Sequence, residues 1–266
     1  MRRARPGRVL LAAVCFLIGV WLVLPTLVAV PVSFTPVRSF AVPTESPSLR
    51  WYVNFFTDQR WLDALRNSLV IAASTSVIAT AVGTVAALAL DRARVRGKGL
   101  AAALLLTPSI VPIILLGLGV YYVFLRWDLV GTFTGLILAH SVTAIPLVVQ
   151  PVSASLARHD RGLEQAAASL GAPPVTVLRQ VTLPLIAPGV LSGAVFAFIW
   201  SFDEVVLSIF LTSPDLQTLP VLMFNAVTQV LDPTIAAAST MILFLTTTLI
   251  LVGFRMGAKE MTTRGA

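Results

Sequence analysis

Long uncharged apolar runs separated by short polar breaks constrain this chain more than any other feature. The first runs from Val9 to about Phe34 without a charged residue. Crossing the hydrocarbon core of a bilayer takes about 20 apolar residues. Including that first run, about 9–34, spans are expected at about 67–90, 100–125, 132–152, 185–211 and 234–256. Charged residues are 12% of the chain and hydrophobic ones 57%, against about a quarter charged in soluble domains. The expected fold class is therefore all-α, a polytopic membrane protein with about six transmembrane helices. Spans of this length use most of the 266 residues, so 1–266 reads as a single membrane domain.

The charges between the runs set an orientation. With both termini inside, the cytoplasmic segments hold four basic residues at the N-terminus (Arg2, Arg3, Arg5, Arg8), four beside Asp91, three in the central loop and three in the tail. That is fourteen of the nineteen Lys and Arg residues, and it follows the positive-inside rule. The net charge of +7 is thus spread over membrane flanks and gives no reason to expect nucleic acid. Arg96-Gly97-Lys98-Gly99 lacks the spacing and the following hydroxyl of a phosphate-binding P-loop. The first run is too long for the core of a signal peptide and reads as an uncleaved span, kinked at Pro25. Cys15 stands alone, and His140 and His159 are too few for a metal cluster, so no metal is expected.

Several segments keep two readings. Thr35 to Asp63 mixes Glu45, Arg50, Asp58 and Arg60 with Trp51, Tyr52, Phe55, Phe56 and Trp61, as would an interfacial segment or a surface for an external partner. Pro108 and Pro112 in the third run either kink a helix or free carbonyls to line a pathway. His140, at mid-span, faces the bundle or makes a structural hydrogen bond. Gly189 and Gly193 form a GxxxG pair suited to close helix approach. Ser201-Phe202-Asp203-Glu204 puts two acids inside an apolar run, either where the helix reaches the outer interface or where it lines a substrate pathway. Further on, LPVLMFNAVTQVL reads as a short external helix, and Asp232 with Pro233 as the start of the last span.

The central polar stretch, Arg158 to Pro188, has the clearest local grammar. Asp160 is placed to cap a helix, Glu164 suits its first turns, and Gly171 ends it; a second helix can start at Pro174. Glu164, Ala167, Ala168 and Gly171 share a face with almost no bulk, on which another protein could approach closely. Gln165-Ala166-Ala167, three residues, Gly171, nine residues, Val181, one residue and Leu183-Pro184 follow one another. This pattern resembles the cytoplasmic loop signature of permease subunits of binding-protein-dependent ABC importers, usually Glu-Ala-Ala…Gly…Ile-x-Leu-Pro. Gln165 stands for the usual Glu and Val181 for Ile. The acid Glu164 lies one residue away, about 100° around the helix.

The resemblance implies a coupling helix between the fourth and fifth spans that docks on a cytoplasmic ATPase through Glu164, Gln165, Ala166, Ala167, Gly171, Val181, Leu183 and Pro184. It implies a second permease subunit that is a different chain, an extracytoplasmic substrate-binding protein, and a bacterial inner membrane location. The chain itself would be no enzyme and bind no cofactor, with ATP and Mg held by the partner ATPase. Leu183 to Gly189 with Ser201 to Val206 look most like the spermidine and putrescine permeases. On that resemblance Ser201, Phe202, Asp203 and Glu204 are pathway candidates, since polycations could offset buried carboxylates. Permeases for iron, phosphonate, sulfate or opines have similar loops. A channel without an ATPase remains the alternative of another class.

Overall fold

A computed structural model describes residues 6–40, 42, 46–92, 96–158, 160–244, 247 and 248. Arg2, Arg3, Arg5, Glu45, Arg94, His159, the last span beyond residue 248 and the tail with Arg255, Lys259, Glu260 and Arg264 lie outside the described residues. In chain order the helices are α1 (Pro6–Leu27), α2 (Ala29–Val32), α3 (Arg50–Thr57), α4 (Gln59–Arg92), α5 (Lys98–Leu106), α6 (Ile113–Arg126), α7 (Phe133–Arg158), α8 (Arg161–Ser169), α9 (Pro174–Val177), α10 (Leu183–Asp203), α11 (Val206–Leu211) and α12 (Leu219–Asn225). A further helix, Thr234–Phe244, follows α12. Among the described residues four helical runs are long and apolar enough to cross a membrane: Leu10–Val32, Gln59–Arg92, Phe133–Arg158 and Pro174–Asp203. The pair Lys98–Ser109 and Ile113–Arg126 makes a fifth if it is one span.

The third run differs from one unbroken span, being kinked at its prolines as one of its two readings had it. It bends by 94° between Ser109 and Ile113. Pro108 sits in a 3-10 turn (Thr107–Ser109) and Pro112 is extended at ψ 125° where α6 begins. Neither proline can donate an amide proton, so the helical ladder fails there. The fifth run also differs. Its helix extends back to Pro174 and stops at Asp203, and Glu204 is extended at ψ 110° before the short α11 begins. The two acids therefore lie at a break, not within one continuous span of 185–211.

The chain divides into two compact units, one of Met1–Leu62 with Met223–Ala266, the other of Asp63–Leu222. In the first, α3 turns Trp51 and Phe55 inward and leaves Val53 and Phe56 exposed. Trp51 Nε1 donates to the Thr35 carbonyl at 2.7 Å, and Asn54 Nδ2 donates to Thr234 Oγ1 at 2.8 Å. Asp232 caps the following helix as expected, accepting from the Thr234 amide at 3.0 Å and its hydroxyl at 2.6 Å.

The second unit is organised around α7. Val148 is completely buried between small residues of α4 and α10. A Cβ on Gly83 of α4 would lie 2.8 Å from Val148 Cβ, and one on Gly193 of α10 would lie 3.0 Å from Val148 Cα. At Gly189 a Cβ would come within 2.6 Å of the Pro151 carbonyl. The GxxxG pair thus serves packing of α10 on α7, where backbones approach too closely for side chains. Ser76 Oγ donates to the Ala194 carbonyl at 2.8 Å, tying α4 directly to α10. A second apolar cluster, including Ile71, Leu136, Leu207 and Leu211, packs α11 against α4 and α7.

Candidate functional site

The break after α10 is built by polar groups of three elements. Glu204 Oε1 accepts from the Leu207 amide at 2.7 Å, which satisfies one of the free donors at the start of α11. Ser208 Oγ donates to the Glu204 carbonyl at 2.8 Å. His140 of α7 is fully buried and spans the break, with Nδ1 2.8 Å from Ser201 Oγ and Nε2 3.1 Å from Ser208 Oγ. Because Ser208 spends its proton on Glu204, it must accept from His140. A ring proton on Nε2 satisfies this arrangement, with Nδ1 then accepting from Ser201. Of the two readings of His140, the structural hydrogen bond holds, and it acts in the bundle.

Beside the break is a cavity of about 300 Å³ lined by Leu147, Phe196, Ile199, Trp200, Asp203 and Glu204. Asp203 is exposed to it, whereas Glu204 is mostly buried. The other two pathway candidates point elsewhere: Ser201 is consumed by His140, and Phe202 stacks on Phe198 at 6.1 Å between ring centroids. Phe196 and Trp200 were not singled out in the sequence, though their i, i+4 spacing puts both on one face. A cavity lined by an acid and by aromatic rings suits an organic cation, which gains from the carboxylate and from ring faces.

The central loop folds as its residues predict. Asp160 Oδ1 accepts from the Gly162 amide at 2.8 Å and opens α8. At the other end Gly171 takes φ +88°, with Gly171 N donating to the Ala168 carbonyl at 3.0 Å and Ala172 N to the Ala167 carbonyl at 3.1 Å. This pair of bonds is the Schellman ending that a left-handed glycine permits. Pro174 starts α9, which continues through a π turn (Leu178–Thr182) into α10.

Of the four residues on the small face of α8, Glu164 and Ala167 are half-buried, whereas Ala168 and Gly171 are exposed. Arg92 Nη2 donates to Glu164 Oε1 at 3.2 Å, and Thr182 Oγ1 donates to the same oxygen at 2.6 Å. Arg161 Nη2 donates to Asp91 Oδ1 at 2.8 Å and Oδ2 at 2.9 Å. Charge pairing turns the Glu164 edge inward. Outward lie Gln165, Ala166, Gly171 and the apolar side chains of Leu163, Leu170 and Val175, with Leu170 89% exposed. Val181 and Leu183 are half-buried where the π turn meets α10, and Pro184 is exposed. Asp91 and Arg92 had read only as part of a charged membrane flank. The signal that would have found them is order: Asp-Arg at the end of α4 complements Arg-x-x-Glu at the start of α8.

Residues 79–258, which include both the loop and the break, match the binding-protein-dependent transport system inner membrane component family. The chain belongs to that family. It is 30% identical over 245 residues to the spermidine/putrescine transport system permease protein PotC of Escherichia coli K12, covering 92% of each chain. It is 34% identical over 203 residues to the putrescine transport system permease protein PotI of the same strain, covering 74% of this chain and 72% of the relative. Among solved structures, a bacterial ABC transporter involved in the import of the acidic polysaccharide alginate superposes with a TM-score of 0.70 at 15% identity, over 95% of this chain and 98% of that one. At that identity the likeness is one of fold. The chain is thus a multi-pass membrane permease of the ABC importer type.

Proposed function

We propose that this permease forms half of the substrate pathway of an ATP-driven polyamine importer. Asp203 and Glu204 beside the cavity carry the reading, in a chain 30% identical over 92% of its length to a spermidine/putrescine permease. Carboxylates in an apolar span need solvent, a partner or a cation, and the ammonium groups of spermidine or putrescine supply the last. In this reading Asp203 meets the substrate, Glu204 shapes the break, and Trp200 and Phe196 stack along the methylene chain.

The whole chain acts as one membrane domain with both termini cytoplasmic, a placement supported by the fourteen of nineteen basic residues on that side. Residues 164–167, Gly171, Val181, Leu183 and Pro184 belong to the coupling loop. It docks on a cytoplasmic ATPase that holds ATP and Mg, so hydrolysis is done in trans. A second, different permease chain completes the pathway, and an extracytoplasmic binding protein delivers substrate. ATP binding closes the ATPase pair and turns the spans from inward-open to outward-open.

The test is uptake of labelled spermidine and putrescine by cells with and without this chain, its ATPase and binding protein being present in both. Loss of ATP-dependent uptake without the chain is expected. Equal uptake, with the complex assembled, would overturn the substrate class.

A further inference from the structure

The charged edge of α8 does more than orient a loop. Asp91 and Arg92, the last two residues of α4, grip Arg161 and Glu164, one turn apart on α8, with opposite charges in complementary order. Glu164 is also held by the hydroxyl of Thr182, which is fully buried and is the last residue of the π turn before α10. Arg92 Nη2 reaches that hydroxyl as well, at 3.4 Å. The nine residues of α8 are thus bonded to the end of one long helix and the start of another. Exposed ion pairs contribute little to stability, about 0–1 kcal/mol each, so the two that converge on this short helix, with the Thr182 hydroxyl bond beside them, matter more for its position than for its stability.

We propose that Asp91, Arg92 and Thr182 are positioning residues that clamp α8 to α4 and α10, so that displacement of α8 reaches the acidic break as movement of one body. The inference rests on the reading of α8 as the ATPase-facing helix. From Thr182 the path is continuous: α10 runs 21 residues, about 30 Å at 1.5 Å per residue, to Asp203. Helix α4 cannot lag behind, because Ser76 is bonded to Ala194 and both helices close on Val148 through glycines. On its other side α8 is followed by Gly171, Ala172 and Pro173 before α9 begins. Packed elements with discrete arrangements transmit such displacements.

The test uses the complete complex in lipid, with its ATPase and binding protein, in a Cys15→Ser background. Spin labels on cysteines replacing Ser169 and Leu191, both exposed, report the separation of α8 and α10 with and without a non-hydrolysable ATP analogue. Spermidine uptake per ATP hydrolysed is measured alongside. In the parent complex the separation should stay constant when nucleotide binds. In Arg161→Asp and in Thr182→Val it should change, while co-purification with the ATPase and basal ATP turnover persist. Uptake per ATP should fall about two-fold or more, the scale on which residues between coupled sites act. Asp91→Arg combined with Arg161→Asp should restore both readouts.

A separation that shifts equally in parent and variants, or a double swap no better than the single changes, would overturn the clamp. If a charge reversal prevents assembly, Asp91→Asn and Thr182→Val carry the same comparison. Failure of the parent complex to take up spermidine would instead strike the polyamine reading, because the label separation does not depend on the substrate.

Discussion

His140 Nδ1 lies 2.8 Å from Ser201 Oγ, and this bond fixes the last turn of α10 to the first half of α7 just before the helix breaks. With Ser208 on the other ring nitrogen, one imidazole holds both sides of the break. Replacing His140 with Ala leaves a buried hydroxyl without its partner and opens a void, at a cost of about 2–4 kcal/mol. The expected outcome is a lower melting temperature for the purified complex in lipid, with transport falling as the break loosens.

Asp203 and Glu204 should behave differently although they are neighbours. Asp203→Asn removes a charge from the cavity without disturbing a hydrogen bond that holds the fold. KM for spermidine should rise about tenfold, equivalent to about 1.4 kcal/mol, with the melting temperature unchanged. Glu204→Ala also frees the Leu207 amide and should lower stability by about 1 kcal/mol. Equal thermal effects of the two changes would refute this division of roles.

Gly189→Val forces a branched side chain against the Pro151 carbonyl and Ser155, which the backbone of α7 cannot yield. Overpacking of this kind costs about 1–3 kcal/mol. Reduced membrane accumulation and a lower melting temperature are expected, whereas Gly119→Ala, with open space around it, should be silent in the same assays.

At the central loop, Gly171→Arg places a bulky cation at a left-handed residue whose side chain would project into open space. Strain of about 1–2 kcal/mol follows from the backbone alone. Binding-protein-stimulated ATP turnover should drop in the assembled complex. Gln165→Glu, on the outward face and away from the Arg92 contact, should leave coupling intact or improve it.

Asp58 caps α4, accepting from the Arg60 amide at 2.9 Å and from its guanidinium at 2.6 Å. Hydrogen bonding from the Arg60 side chain holds the Asp58 carboxyl below its ordinary value. Its contribution is therefore complete above the unfolded-state value and is lost as pH falls through the lowered folded one. Asp58→Ala should cost about 1 kcal/mol at neutral pH. The difference in melting temperature between the two proteins should shrink in acid.

Much of this was legible from residues alone, because the decisive signals are local. Asp160, Gly171 and Pro174 punctuate the loop through bonds to residues within five positions, so the chain order specifies α8 and α9. Asp232 announces the last helix in the same way. The 94° bend could be placed near Pro108 and Pro112 but not measured, since a missing donor breaks a ladder without choosing the direction of the next helix. Hydropathy read Leu185 to Leu211 as one span because Val205, Val206 and Leu207 continue the apolar run. The helix ends at Asp203 because Glu204 instead accepts from the Leu207 amide, a competition that hydropathy does not register.

The amino-acid sequence by itself determined the membrane class and the local fold of the central loop, since bilayer thickness and capping act on neighbouring residues. Tertiary structure alone decided which acid faces the cavity, which edge of α8 turns inward and what His140 holds. Those outcomes depend on pairs such as Asp91 with Arg161 and His140 with Ser201, separated by 70 and 61 positions. No local periodicity encodes a partner that far away; it is chosen when α4, α7 and α10 close on Val148 and bring the groups within reach.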